Sequence, residues 1–446
     1  MILGQGYLVG MAATTLMLYL WGTVGLPLQF WLLAAIQAGI CLFLYITIRR
    51  KNFPPRESTP QTPLELWQRL VFGLLLGLIA LRYATIFQEI MLRPLFVWDA
   101  WMNWAPKAVI WFELDEFVRF VSPRDWLTQP SSAQAYTLGS WGAWRYPLAV
   151  PLIQLWTMLG SGVSDYNLVY TPWLLAPMAL GLSLFGYLRL AGRMTLTALA
   201  GCYLLINLPY LNVHTALAGY ADIWITAAFG CAIFALQEWE RHGDRSQAAI
   251  ALMLALFCAF MKIPGLIFAC FIVSTFGFLI LGLNKRPRIY LVVIAGLIFS
   301  LSLLVGYELA IPGLGNVKVS YEGISLPYVG DFAFSYHAVH QAVFTTMFLM
   351  INWNLLWYLV LVSFGCYLIK HKNIDARASL LLPLGMSLTF ILFVYYFTER
   401  YKYALDYTQI NRALIYLAPA LVMLAISVLG QSSSATRGRA RKAGFG

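Results

Sequence analysis

The chain has 446 residues, is 60% hydrophobic and only 11% charged, and carries a formal net charge of +11. Water-soluble domains carry about 25% charged residues, so there is too little polar surface here to coat a soluble globule. The positive charge raises nucleic acid as a partner, but the basic residues sit in short loops between apolar runs, where they read as a membrane-topology signal instead.

Apolar runs of about 20 residues, the length needed to cross a bilayer, recur along most of the chain. They predict an all-α, polytopic helical membrane protein with about twelve transmembrane helices. The predicted spans are approximately 7–24, 28–48, 67–88, 168–190, 195–212, 220–237, 247–261, 264–283, 289–310, 353–370, 378–397 and 413–430. The opening "MILGQGYLVG" lacks a basic segment and a small-residue cleavage site, so it is taken as a retained first helix. Residues 1–66 form an additional N-terminal hairpin and loop, 67–430 the main membrane region, and 431–446 a basic tail. The loops "RRKNFPPRE", "RLAGR", "ERHGDR", "NKRPR" and "KHKNIDAR", the tail "TRGRARK" and Arg69 hold 19 of the 30 Lys and Arg but 4 of the 19 Asp and Glu. Basic residues accumulate in cytoplasmic loops, so both termini are expected in the cytoplasm of a cell with this protein in its inner (plasma) membrane. Cysteines lie mostly inside apolar runs, without CxxC spacing, and read as small buried hydrophobes.

This layout places a long outer segment at 89–167. It begins with "VWDAWMNWAPKAVIWF", in which Asp99 stands among four tryptophans with Lys107 eight residues on. Trp101, Trp104, Ala108 and Trp111 recur at helical spacing, and Pro106 marks the start of a regular helix. The tryptophans suit an interfacial anchor belt. Asp99 is either a solvated acid near a helix start or a functional group, since acids at membrane depth are expensive. The piece "WGAWRYPLAVPLIQLW", with Arg145, is apolar but short and is read as a juxtamembrane or re-entrant helix. A second outer loop spans about 313–340.

Other candidates lie at outer helix ends. Asp222 in "GYADIW", preceded by Tyr220, is either a helix-dipole charge or a second carboxylate facing the cavity of Asp99. Lys262 in "MKIPG" and Arg412 in "INRALIYLAPA" either snorkel to the interface or face that same cavity. Cations at headgroup depth suit a lipid phosphate, and an acid beside them suits a general base. No HExxH, CxxC, Walker or GxGxxG motif appears in the necessary context, and His214, His337 and His340 are isolated. No cofactor is called for, although a divalent metal is left open.

Taken in order, "WDAWMNWAPKA", "WRYPLAVPLIQLW", "GYADIW", "KIPG" and "INRALIYLAPA" resemble the polytopic glycosyltransferases of the GT-C superfamily, among them protein mannosyltransferases and aminoarabinose transferases. The resemblance covers roughly residues 67–430. It implies an enzyme that takes a sugar from a polyprenyl-phosphate donor and passes it, with inversion at the sugar carbon as the expected course, to an acceptor hydroxyl outside the cytoplasm. It implies Asp99 and Asp222 as catalytic acids, and Lys107, Arg145, Tyr220, Lys262 and Arg412 as substrate or lipid-phosphate contacts. The acceptor is a lipid, a glycan or a protein of the cell envelope, and membrane lipids are the other partners. Two features depart from the pattern: Asp99 is followed by Ala100 where many members have a second acid, and two extra crossings precede the usual first helix. The alternative is a transporter or flippase of lipid-linked sugars, which would carry polar residues deep in several helices and internal repeats.

Overall fold

The computed structural model describes residues 1–50, 63–93, 95, 97–130, 134–140, 142–164, 167–281, 294, 297–298, 301, 303–311, 315–327, 330–370 and 377–429. The basic tail and most of "RRKNFPPRE", "NKRPR" and "KHKNIDAR" lie outside the described residues, as do ten of the 22 residues of the span expected at 289–310.

The chain is mostly helical. Helices α1 (Ile2–Thr23), α2 (Phe30–Arg50) and α3 (Leu66–Leu92) lead into the segment 93–167. That segment holds α4 (Ala105–Leu114), β1 (Arg119–Phe120), α5 (Pro123–Thr128), β2 (Ala135–Tyr136) and α6 (Ala149–Ser161). Helices α7 (Thr171–Leu190), α8 (Thr195–Ile206), α9 (Pro209–Ala216), α10 (Asp222–His242), α11 (Arg245–Met261) and α12 (Ile263–Ile280) follow. Strands β3 (Tyr307–Ile311), β4 (Gly315–Ser320), β5 (Gly323–Leu326) and β6 (Gly330–Ala333) form an antiparallel sheet in sequential order. The chain closes with α13 (His340–Phe344), α14 (Leu356–Lys370), α15 (Ala378–Phe397), α16 (Lys402–Leu405), α17 (Thr408–Ile415) and α18 (Ala418–Leu429).

Among the described residues, six helices are long and apolar enough to cross a membrane, or eight if the bent pairs α8–α9 and α17–α18 each count as one span. This is compatible with a multi-pass membrane protein; of the other expected crossings, 220–237, 247–261 and 353–370 fall on shorter or more polar helices. Helix α3 shows why the surrounding medium must be apolar. Of its 27 residues only Ile86 and Ile90 are buried, while Leu70, Leu74 and Leu81 stand exposed. An apolar surface of that extent is not stable against water. Helix α10 is the opposite case. It is buried almost continuously from Asp222 to Glu238 and packs against α7, α11 and α15, so it is the axis of the bundle.

Three expectations change. The all-α reading misses the four-stranded sheet, and the end of the predicted 289–310 span is strand β3. The tryptophan belt is divided: Trp98 and Trp101 are exposed, but Trp104 and Trp111 are core. The cause is a π-helical turn at Ala100–Trp104, which breaks the 3.6-residue register between Trp101 and Trp104 before α4 begins with Pro106 in its first turn. Helix α1 is no appendage. It packs against α7, α6 and α11, and Gln5 Nε2 donates to Gln247 Oε1 at 3.1 Å. Of the cysteines, Cys202, Cys231 and Cys258 are buried and Cys270 is exposed.

Candidate active site

Four separated segments deliver charge to one point. Asp99 precedes the π-turn and stands at its N-terminal end, where the helix dipole favours an anion. Asp222 is the first residue of α10. The loop before it can approach because of Gly219, whose φ is +104° and at which a Cβ would come within 2.5 Å of Ala100 Cβ. Glycine is the residue that tolerates both that dihedral and that contact. Lys262 lies between α11 and α12 in an extended conformation. Pro264 restarts the chain as a helix, and Gly265 closes the hairpin so tightly that a Cβ would fall 2.0 Å from the Cys258 carbonyl oxygen. Arg412 projects from the short helix α17, whose start is bonded by Asp406: its Oδ1 accepts from the Thr408 amide at 2.9 Å.

The four charges interlock. Arg412 Nη2 donates to Asp99 Oδ2 at 2.6 Å and to Asp222 Oδ2 at 2.7 Å. Lys262 Nζ lies 3.2 Å from Asp99 Oδ2 and 3.9 Å from Asp222 Oδ2. The Tyr416 hydroxyl donates to Asp222 Oδ1. The Arg412 guanidinium also covers the Tyr220 ring, 4.5 Å from its centre. Asp222 is 1% exposed, whereas Asp99 and Lys262 are each 18% exposed, so Asp222 forms the floor and Asp99 the accessible acid. Burial raises the Asp99 carboxyl, but Lys262 and then Arg412 outweigh it and hold the acid below its ordinary range.

The cluster opens into a cavity of about 410 Å3, within the range of small-molecule sites. Its charged lining is Asp99, Asp222, Lys262, Arg412, Arg145 and Arg400, two acids and four cations, a net of +2 among the described residues. Gln409, Arg412, Ala413 and Tyr416 line it from one helical face. Phe332 of β6 reaches it, so the four-stranded sheet forms part of the wall.

Of the residues predicted, Asp99, Asp222, Lys262, Arg412 and Arg145 come together around the cavity, and Tyr220 lies against Arg412. Lys107 does not reach it. Its Nζ is buried beneath the following turn and donates to the carbonyls of Ala143 at 3.0 Å and Trp144 at 3.3 Å. It therefore steadies the 143–145 turn that carries Arg145. Burial pushes its ammonium down, to about 7. Asn103, Arg400, Gln409 and Tyr416 line the cavity without having been singled out. Tyr416 was legible as the residue one helical turn after Arg412; Arg400 sat in an outer loop where any cation is ordinary.

His214 is buried against Tyr210 and Tyr220, while His337 stacks on Tyr401. Among the described residues no three His, Cys, Asp or Glu side chains converge on a metal position. Both cavity carboxylates are engaged by cations, so this donor set does not fit a resident divalent ion in the arrangement seen. Comparison with protein-family models, with curated proteins and with solved structures finds no match for the chain.

Proposed function

We propose that the protein is a GT-C-type glycosyltransferase of the plasma membrane, moving a sugar from a polyprenyl-phosphate donor to an acceptor hydroxyl on the non-cytoplasmic side. The observation that carries this reading is the cavity itself. Paired acids sit among four cations, net positive, at the end of a bundle with an apolar exterior. Such a lining suits an anionic headgroup on an apolar tail, with a carboxylate in place to take a proton.

Asp99, the more exposed acid, accepts the proton of the acceptor hydroxyl. The acceptor oxygen forms its bond to the anomeric carbon from the side opposite the phosphate, and the configuration inverts. The carbon–oxygen bond to phosphate breaks, and its electron pair leaves with polyprenyl phosphate. The proton on Asp99 passes to water. Arg145 and Arg400 have no carboxylate partner among the described residues and meet the phosphate first. As the phosphate draws Arg412 and Lys262 toward itself, Asp99 loses the charges that suppress its basicity. Asp222, bonded by Tyr416, tethers the guanidinium beside the cavity as it turns from Asp99 to the phosphate. General-base help is worth roughly 10²–10⁴-fold, and electrostatic stabilisation of the leaving phosphate adds a comparable factor.

The test is release of polyprenyl phosphate from polyprenyl-phosphate sugars by the full chain in lipid nanodiscs. Asp99→Asn, which keeps shape but loses basicity, is expected to abolish release while donor still binds. Turnover near the wild-type rate in Asp99→Asn would remove the base from the mechanism. A wild-type protein that binds no polyprenyl phosphate would end the transferase reading.

A further inference from the structure

The π-turn after Asp99 presents one residue that the charge cluster does not use. Asn103 lines the same cavity, yet is only 6% exposed. Its carboxamide oxygen is buried without a hydrogen-bond partner, and its side chain makes no hydrogen bond among the described residues. Buried amides are normally bonded, and one that is not calls for an explanation. No group among the described residues holds this carboxamide in one orientation, so rotation about its last bond can present either the NH2 group or the oxygen to a ligand. The positions around it are charged: Asp99 four residues before it, with Arg145 and Lys262 also on the cavity wall.

We infer that Asn103 is a substrate-binding residue that hydrogen-bonds a hydroxyl of the transferred sugar, and that the net-positive cavity around it selects a neutral sugar over an amino sugar. The inference rests on the glycosyl-transfer reading and deepens it to a substrate class. A hydroxyl both donates and accepts, as a carboxamide does, so one Asn–hydroxyl pair satisfies whichever orientation the amide takes. An ammonium on the sugar would meet Arg145, Arg400, Lys262 and Arg412 with two acids already engaged, and like charges in a partly buried site repel. Asn103 is placed to hold the sugar while the phosphate is held by arginine, two separable contacts on one donor.

Equilibrium binding by the full chain in nanodiscs separates them. The probes are bare polyprenyl phosphate, polyprenyl-phosphate glucose, mannose and galactose, and polyprenyl-phosphate 4-amino-4-deoxyarabinose. Asn103→Leu and Asn103→Ala, one matching bulk and one adding none, are expected to bind the bare phosphate as the wild type does. The best-bound neutral sugar lipid should lose about 3- to 10-fold in affinity, the range for one neutral hydrogen bond. The amino-sugar lipid should bind the wild type more weakly than that neutral sugar lipid. Equal losses for bare and glycosylated lipid in both variants, or no loss for either, would overturn the role of Asn103 and leave the transferase reading standing. Tighter binding of the amino sugar would overturn the selectivity. A wild-type protein that binds none of the probes would remove the transferase reading and this inference together.

Discussion

Arg412 Nη2 lies 2.7 Å from Asp222 Oδ2, a contact between residues 190 positions apart that joins the final bent span to the central helix of the bundle. The same nitrogen reaches Asp99, so one guanidinium links the two acids of the cavity.

Removing that guanidinium leaves two carboxylates with Lys262 alone. Because Asp222 is 1% exposed, Arg412→Ala is expected to destabilise the protein by about 3–5 kcal/mol, the usual penalty for stranding a buried charge. Arg412→Lys should recover only part of this, since an ammonium on a shorter stem lacks the planar face that covers the Tyr220 ring while one nitrogen holds both acids. Thermal melts of the three proteins in one detergent decide the matter, and identical midpoints would show that the cluster is not coupled.

Tyr416→Phe removes a single hydroxyl from Asp222. A hydrogen bond to a charged group is worth about 1.5–3 kcal/mol, so a melting shift of that order is expected with little change in donor affinity. A donor-affinity loss without a stability loss would instead place Tyr416 in contact with substrate.

Gly219→Ala tests how the acids are brought together. The new Cβ would fall 2.5 Å from Ala100 Cβ, at a φ of +104°. Overpacking and backbone strain each cost about 1–3 kcal/mol. The double variant Gly219→Ala with Ala100→Gly removes the collision but not the dihedral strain, so it should regain part of the lost stability and transfer. No recovery would mean that the dihedral alone is responsible.

Lys107 gives a pH-dependent prediction. Folded, its ammonium is pushed down by burial to about 7, against 10.5 for an ordinary lysine. Between these values the unfolded chain holds the proton that the folded chain has released, so stability rises with pH. The wild-type melting temperature should therefore climb relative to Lys107→Met from pH 7 toward pH 10. The variant also strands the Ala143 and Trp144 carbonyls, costing about 1–3 kcal/mol, and should weaken donor binding through Arg145. Parallel melting curves across that pH range would remove the buried ammonium from the account.

Run length and residue type made the coarse features legible. A helix that meets lipid must be apolar along about 20 residues, so α1, α2, α3, α12 and α15 were readable directly. The acids and cations at outer helix ends were conspicuous for the same reason, because charge there is costly unless something uses it. Helix α10 was also read, as the span at 220–237, although its polar ends lower its apolarity; its central burial in the bundle was not legible. Strands β3 to β6 went unseen because a short exposed meander carries a weak alternating pattern that an outer loop also shows.

The sequence by itself determined a helical chain apolar enough for a membrane and a short set of charged residues at its helix ends. Tertiary structure alone decided which of those charges meet. Lys107 and Lys262 are both lysines near apolar segments, yet one is buried under two backbone carbonyls and the other faces the cavity. Nothing in local spacing separates them, because the difference lies in what packs across from each side chain. Asn103 was likewise invisible. Its position on the cavity wall depends on a π-turn, and its freedom depends on its oxygen having no hydrogen-bond partner among the described residues. Hydropathy reports the solvent that a segment prefers, whereas a site is made by contacts between segments that are far apart in the chain.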